Sequence, residues 1–194
     1  MANTDAPFGL RPIGHINGSP WNGQTEEFLI ADAYNTAIYF GDVVKPAATG
    51  VINLASAGDT LLLGVFQGCR YRATDGSYVF SPRWPASTST FNSEGAYGLV
   101  VVDPTVVYEV QHDSDSAMPA QGDIFANGDF VSTHTGSSIT GLSKMELDTS
   151  TITTATANLR VLGWVESPDN EKAANFAKVR VLINEHALKS TTGI

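Results

Sequence analysis

The stretch Leu61-Leu62-Leu63-Gly64-Val65-Phe66-Gln67-Gly68-Cys69-Arg70-Tyr71-Arg72 decides the fold class. Its later part alternates: Val65, Gln67, Cys69 and Tyr71 fall on one face, and Phe66, Gly68, Arg70 and Arg72 on the other. A period of two with one buried and one wet face is the signature of a strand, and Gly64 inside it suggests a bulge or bend. A similar strand recurs as Leu162-Gly163-Trp164-Val165, again with an inner glycine of the kind that curves a sheet.

Outward from this stretch, short β-like runs follow one another with turn signals between them. They are expected at 27–31, 37–39, 43–46, 61–72, 97–102, 106–111, 124–125, 130–131, 159–165 and 177–183. Gly-Asp pairs precede β-branched or apolar residues at Gly41-Asp42, Gly58-Asp59, Gly122-Asp123 and Gly128-Asp129. Glycine there supplies a positive φ and aspartate bonds back to the turn, so each pair is expected to open a strand. No segment reads as an amphipathic helix of three turns, and only 170–178 has the pattern of a short one. The expected fold is all-β, a small curved β-barrel or sandwich with at most one short helix, spanning residues 26–194.

Residues 1–25 read as an extended N-terminal arm, because Pro7, Pro12 and Pro20 with four glycines interrupt any regular period. Phe8, Leu10, Ile13 and Trp21 make it too apolar for a solvated tail, so it is expected to dock, either on its own domain or on a neighbouring subunit. In residues 132–157 half the positions are Ser or Thr. This segment reads as a long surface loop or hairpin, or as an exposed contact or glycan-facing surface.

Composition narrows the function. The chain has 194 residues with 18 Gly and 9 Pro, and its 20 acidic against 11 basic residues give a formal charge of −9. Phosphate binding rests on clustered Lys and Arg, and the basic residues here are scattered, with Arg70 and Arg72 no more than a close pair, so no nucleic-acid partner is expected. Cys69 is alone and reads as a buried free thiol. No apolar run approaches the roughly 18 residues of a spanning helix, and the N-terminus has neither the basic nor the apolar region of a secretory signal. A soluble product without a membrane partner is expected.

Motifs for chemistry are absent from the sequence. His15, His112, His134 and His186 form no zinc spacing, no Gly-x-Ser-x-Gly occurs, and no glycine-rich turn leads into Lys-Ser or Lys-Thr. His112-Asp113-Ser114-Asp115-Ser116 brings carboxylates near hydroxyls but lacks the glycine and closing glutamate of a calcium loop, so it reads as a polar turn. No catalytic residue, metal or cofactor is expected. The aromatic residues belong either to the core and interfaces or to an exposed sugar platform. Trp84, within Ser81-Pro82-Arg83-Trp84-Pro85, is the candidate exposed anchor.

Ala6-Pro7-Phe8-Gly9-Leu10-Arg11-Pro12, Asn22-Gly23-Gln24-Thr25, Gly41-Asp42-Val43-Val44-Lys45, Gly64-Val65-Phe66-Gln67-Gly68 and Leu162-Gly163-Trp164-Val165 together resemble the capsid cement, or head decoration, proteins of tailed bacteriophages. The resemblance implies a non-enzymatic virion protein, made in the host cytoplasm, on the outer surface of the head. It implies the major capsid protein as partner and self-association as a homotrimer, or a dimer, that clamps neighbouring capsomers. The expected contact residues are Phe8, Leu10, Arg11 and Ile13 of the arm, with Trp21 and Trp84. Deletion of residues 2–14 is then expected to abolish capsid binding and leave the β domain folded. The alternative is a carbohydrate- or receptor-binding β module of a virion.

Overall fold

A computed structural model describes residues 3–116 and 120–190. Met1 and Ala2 of the expected arm, and residues 191–194 at the far end, lie outside the described residues. The strands are β1 (Arg11–His15), β2 (Glu26–Ile30), β3 (Ile38–Tyr39), β4 (Val43–Pro46), β5 (Ile52–Leu54), β6 (Gly64–Arg72), β7 (Tyr78–Ser81) and β8 (Arg83–Trp84). They continue as β9 (Ala96–Val101), β10 (Val106–Gln111), β11 (Asn127–Gly128), β12 (Phe130–Val131), β13 (Glu146–Leu147), β14 (Leu159–Trp164) and β15 (Lys178–Ile183). Helical content among the described residues is confined to 3-10 turns of three residues each.

Two antiparallel sheets dominate. The first has the order β1-β10-β15-β14-β11, and the second β2-β9-β6-β4-β5, with β7 also paired to β6. Neither closes on itself, so the all-β expectation resolves to a sandwich and not a closed barrel. Val43, Val65 and Val101 of the second sheet pack with Val106, Tyr108, Val161, Val179 and Val181 of the first. Their sequence neighbours Val44, Phe66 and Val100 point to the opposite face and join Ile30, Ile38, Ile52 and Trp84 in a second cluster. Alternation thus buries both faces of the second sheet, each fully buried side chain contributing about 1.5–3 kcal/mol.

The deciding strand departs from strict alternation. The register of β6 against β9 shifts between Phe66 and Cys69, where Gly68 holds φ at +128°. This bulge adds one residue and reverses the parity of all that follow, so Cys69 and Tyr71 share the second cluster with Phe66. Val65 and Cys69, placed on one face by the sequence pattern, therefore face opposite ways. The bulge lies at Gly68 and not at Gly64. In β14 a shift between Val161 and Gly163 matches the expected bend.

The arm belongs to its own domain. Residues 11–15 form β1, which pairs with β10 at the edge of the first sheet. Leu10 is fully buried in the sandwich core, and its N–H donates to the Gly41 carbonyl at 2.9 Å. Gly9 and Gly41 cross so closely that a Cβ on Gly41 would stand 2.9 Å from the Phe8 carbonyl oxygen, and both hold positive φ. Glycine at both positions is what lets the segment lie against the turn before β4.

Of the four Gly-Asp pairs, Gly41-Asp42 behaves as expected: Gly41 has φ +95°, the Asp42 carboxylate accepts from the Tyr39 N–H at 2.7 Å, and β4 follows. Gly128-Asp129 also leads into a strand, whereas Gly122-Asp123 lies in a 3-10 turn and residues 124–125 form no strand. Residues 170–178 form no helix but turns that lead into β15 at Lys178, because the Asn170 side chain bonds the Val165 and Lys178 carbonyls and the Lys178 N–H. The Ser/Thr-rich segment is not wholly a surface loop. Ser143, Met145, Leu147 and Thr149 are buried, and Phe40 pairs with Leu142.

His186 is buried beside the bridge it forms with Leu62, its Nδ1 accepting from the Leu188 N–H at 3.1 Å while Nε2 meets no partner among the described residues. Burial lowers its pKa from 6.5 to about 4. The unfolded chain therefore binds the proton at a higher pH than the folded one, and stability falls as pH drops from about 6.5 to about 4. A His186→Asn variant keeps an acceptor for Leu188. It is expected to lose about 2 kcal/mol less than the wild type between pH 7 and pH 4.5 in urea unfolding. Equal losses in the two proteins would contradict the assignment.

Candidate functional site

The residues singled out from the sequence do not form one surface. Trp84 is 0% exposed, its Nε1 donates to the Tyr34 carbonyl at 3.2 Å, and its ring meets Tyr71 edge-on at 5.5 Å. It anchors the second core and not a partner, because β8 turns it inward against β3. Leu10 is likewise unavailable. Trp21 is partly buried against the first core. Phe8 and Arg11 remain together at the surface, the guanidinium 4.3 Å above the ring, and Ile13 is exposed on β1.

A different group of aromatic residues forms the exposed platform. On β7, Tyr78 and Phe80 are 71% and 76% exposed, and on β9, Tyr97 is 42% exposed. Register sets them around two arginines of β6: Tyr78 opposite Arg72, Phe80 opposite Arg70, and Tyr97 opposite Arg70 on the other side. The Arg70 guanidinium lies 4.5 Å from the Tyr97 ring centroid, and that of Arg72 lies 3.8 Å from Phe91 and 5.9 Å from Tyr78. These are cation–π distances.

The platform continues the inner face of the sandwich. Residues alternate along β9, so Tyr97 shares a face with Val101, which the first sheet covers. Four residues away, or about 13 Å along a strand, that cover has ended. The Gly68 bulge turns Arg70 to this same side. Arg70 is fixed there by a two-pronged bond to Glu27 at 2.6 and 2.7 Å. Hydrogen bonding to Arg70 holds the Glu27 carboxyl below its usual range, so the pair stays ionised near neutral pH. Tyr78, Phe80 and Tyr97 were legible as aromatic residues, but their shared exposure depends on where the first sheet ends.

Other chemistry is limited. Cys69 is buried, donates to the Arg83 carbonyl at 3.4 Å, and burial pushes its pKa up to about 12, so it is an unreactive core thiol. The His112–Ser116 turn is real: Ser114 Oγ bonds His112 Nδ1 at 3.0 Å and the Phe176 N–H at 2.6 Å. Comparison with known protein families, curated proteins and solved structures finds no match.

Proposed function

We propose that this chain is a non-enzymatic structural protein that binds the outer surface of a phage head and stabilises the major capsid lattice by clamping neighbouring capsomers. The observation that carries the reading from the structure is the uncovered sheet face bearing Tyr78, Phe80 and Tyr97 around Arg70 and Arg72. Tyr, Phe and Arg are the residue types enriched at protein interfaces, where rigid rings bury large areas with little loss of side-chain entropy. The resemblance to cement proteins supplies the partner, and the acidic surface suits a protein held outside the packaged genome. Self-association as a homotrimer would repeat the face around an axis, and several weak contacts to sites already held close would act together. The contact is thereby assigned to the second sheet and not to the arm.

The test uses expanded empty shells of the major capsid protein of the same phage. A Tyr78→Ala/Phe80→Ala double variant removes two largely exposed rings and is expected to fold normally. Its shell affinity should fall at least about tenfold, the scale of lost aromatic anchors. Wild-type occupancy would remove the face from the proposal.

The same exposed rings favour a second reading, a carbohydrate- or receptor-binding module, since sugars stack on such platforms. A glycan array separates the two: specific binding that the double variant loses supports the module, and absence of sugar binding supports the head-surface role.

A further inference from the structure

The sequence places Asp113 and Asp115 more than thirty residues from Glu146 and Asp148. The fold brings them together. His112 and Leu147 form a parallel bridge, and the Asp113 N–H donates to the Leu147 carbonyl at 3.1 Å. The end of β10 and the end of β13 therefore run side by side, and alternate residues of each segment line one cleft of about 360 Å³. Five carboxylates face it, those four and Asp5, against one imidazole, His134.

Asp113, Asp115 and Asp148 each offer an oxygen, and these atoms all lie within 4.8 Å of one another. A separation up to that limit lets the oxygens share one ion at bonds of about 2.4 Å, the calcium range. Calcium accepts irregular carboxylate sets, whereas magnesium demands near-ideal octahedral geometry at about 2.0–2.1 Å and gives up its waters reluctantly. Two of the aspartates are already oriented. Asp113 Oδ1 accepts from the N–H and hydroxyl of Thr149 at 3.0 and 2.7 Å, and Asp148 Oδ1 from those of Ser150 at 2.9 and 2.6 Å.

Clustered acids at a surface are common without an ion. The independent observation is Glu146, which lines the same cleft at only 3% exposure and whose Oε1 has no hydrogen-bond partner among the described residues. Its Oε2 is held 3.0 Å from His134 Nδ1. A buried carboxylate oxygen without a donor is unfavourable in the folded protein, and a cation in the cleft relieves it together with the mutual repulsion of the aspartates.

We propose that this cleft binds a calcium ion through carboxylate oxygens of Asp113, Asp115 and Asp148, with Glu146 as the buried carboxylate behind them. An all-oxygen donor set favours a hard cation, and the nearby nitrogen of His134 is engaged by Glu146. The ion would tie the turn after β10 to the Ser/Thr-rich segment and thereby stiffen that side of the sandwich.

The full-length protein, stripped with a chelator, is titrated with calcium chloride by calorimetry and melted with calcium or magnesium at equal ionic strength. One saturable calcium site per chain is expected, with Tm raised by about 5 °C or more at a hundredfold excess over Kd and a smaller rise with magnesium. Asp115→Asn changes an exposed side chain, and Asp148→Asn keeps an acceptor for the Ser150 N–H. Each should weaken calcium binding about tenfold or more while circular dichroism shows the same fold. No saturable binding at millimolar calcium, an equal response to magnesium, or unchanged affinity in both the Asp115→Asn and the Asp148→Asn variant would overturn the site.

Discussion

Trp84→Ala is expected to lower the unfolding free energy by about 3–5 kcal/mol, a large part of the total for a domain of this size. The indole is fully buried among Ile38, Phe66 and Tyr71, and no small rearrangement of a sheet face fills the space of two fused rings. Removal also leaves the Tyr34 carbonyl without its donor. Chemical denaturation with tryptophan fluorescence and circular dichroism measures the effect. A loss under about 1 kcal/mol would return Trp84 to the surface role that its Pro-flanked sequence suggested, and would displace the second core as described.

Deletion of residues 2–14 should abolish cooperative folding, not merely capsid binding. It removes Leu10 from the sandwich core and most of β1 from the ladder with β10, and it leaves the long β10 edge open to other chains. Leu10→Ala alone is expected to destabilise by about 2–5 kcal/mol, the range for a buried leucine. The gentler variant separates a folding role from a binding one. If the deleted protein unfolds in a single sharp transition near the wild-type Tm, the segment is a dispensable arm after all. In that outcome the contact surface has to be sought at Phe8, Arg11 and Ile13.

These two expectations reverse sequence-level ones for the same reason. Proline and glycine density in residues 7–23 marks irregular backbone, and irregular backbone is ordinarily at the surface. Density of turn residues does not report whether an apolar side chain between them finds a cavity. Leu10 and Trp84 both do, because another part of the chain, Gly41 in one case and β3 in the other, approaches closely enough to enclose them.

The acidic cleft was illegible for a related reason. A calcium loop is recognised from sequence when one short segment supplies the ligands. Here the aspartates come from two segments distant in sequence, brought together by the bridge of His112 to Leu147 and by the Thr149–Asp113 hydrogen bonds, so the His112–Ser116 stretch read alone is a polar turn. The aromatic platform, likewise, is written in β6, β7 and β9, but exposure there is set by the extent of the opposing sheet.

Local periodicity and turn chemistry by themselves determined that this chain is all-β, with strands at β4, β6, β10, β14 and β15 close to their observed bounds, a free buried thiol at Cys69 and a strand opening at Gly41-Asp42. Those properties depend on residues within a few positions of one another, where alternation, glycine φ and aspartate hydrogen bonds act. Only the tertiary structure decided which face of each strand is buried, that β1 joins the first sheet, and which side chains share the platform and the cleft. One added residue at the Gly68 bulge reverses every side chain after it, and pairing between distant segments follows from packing the whole chain at once.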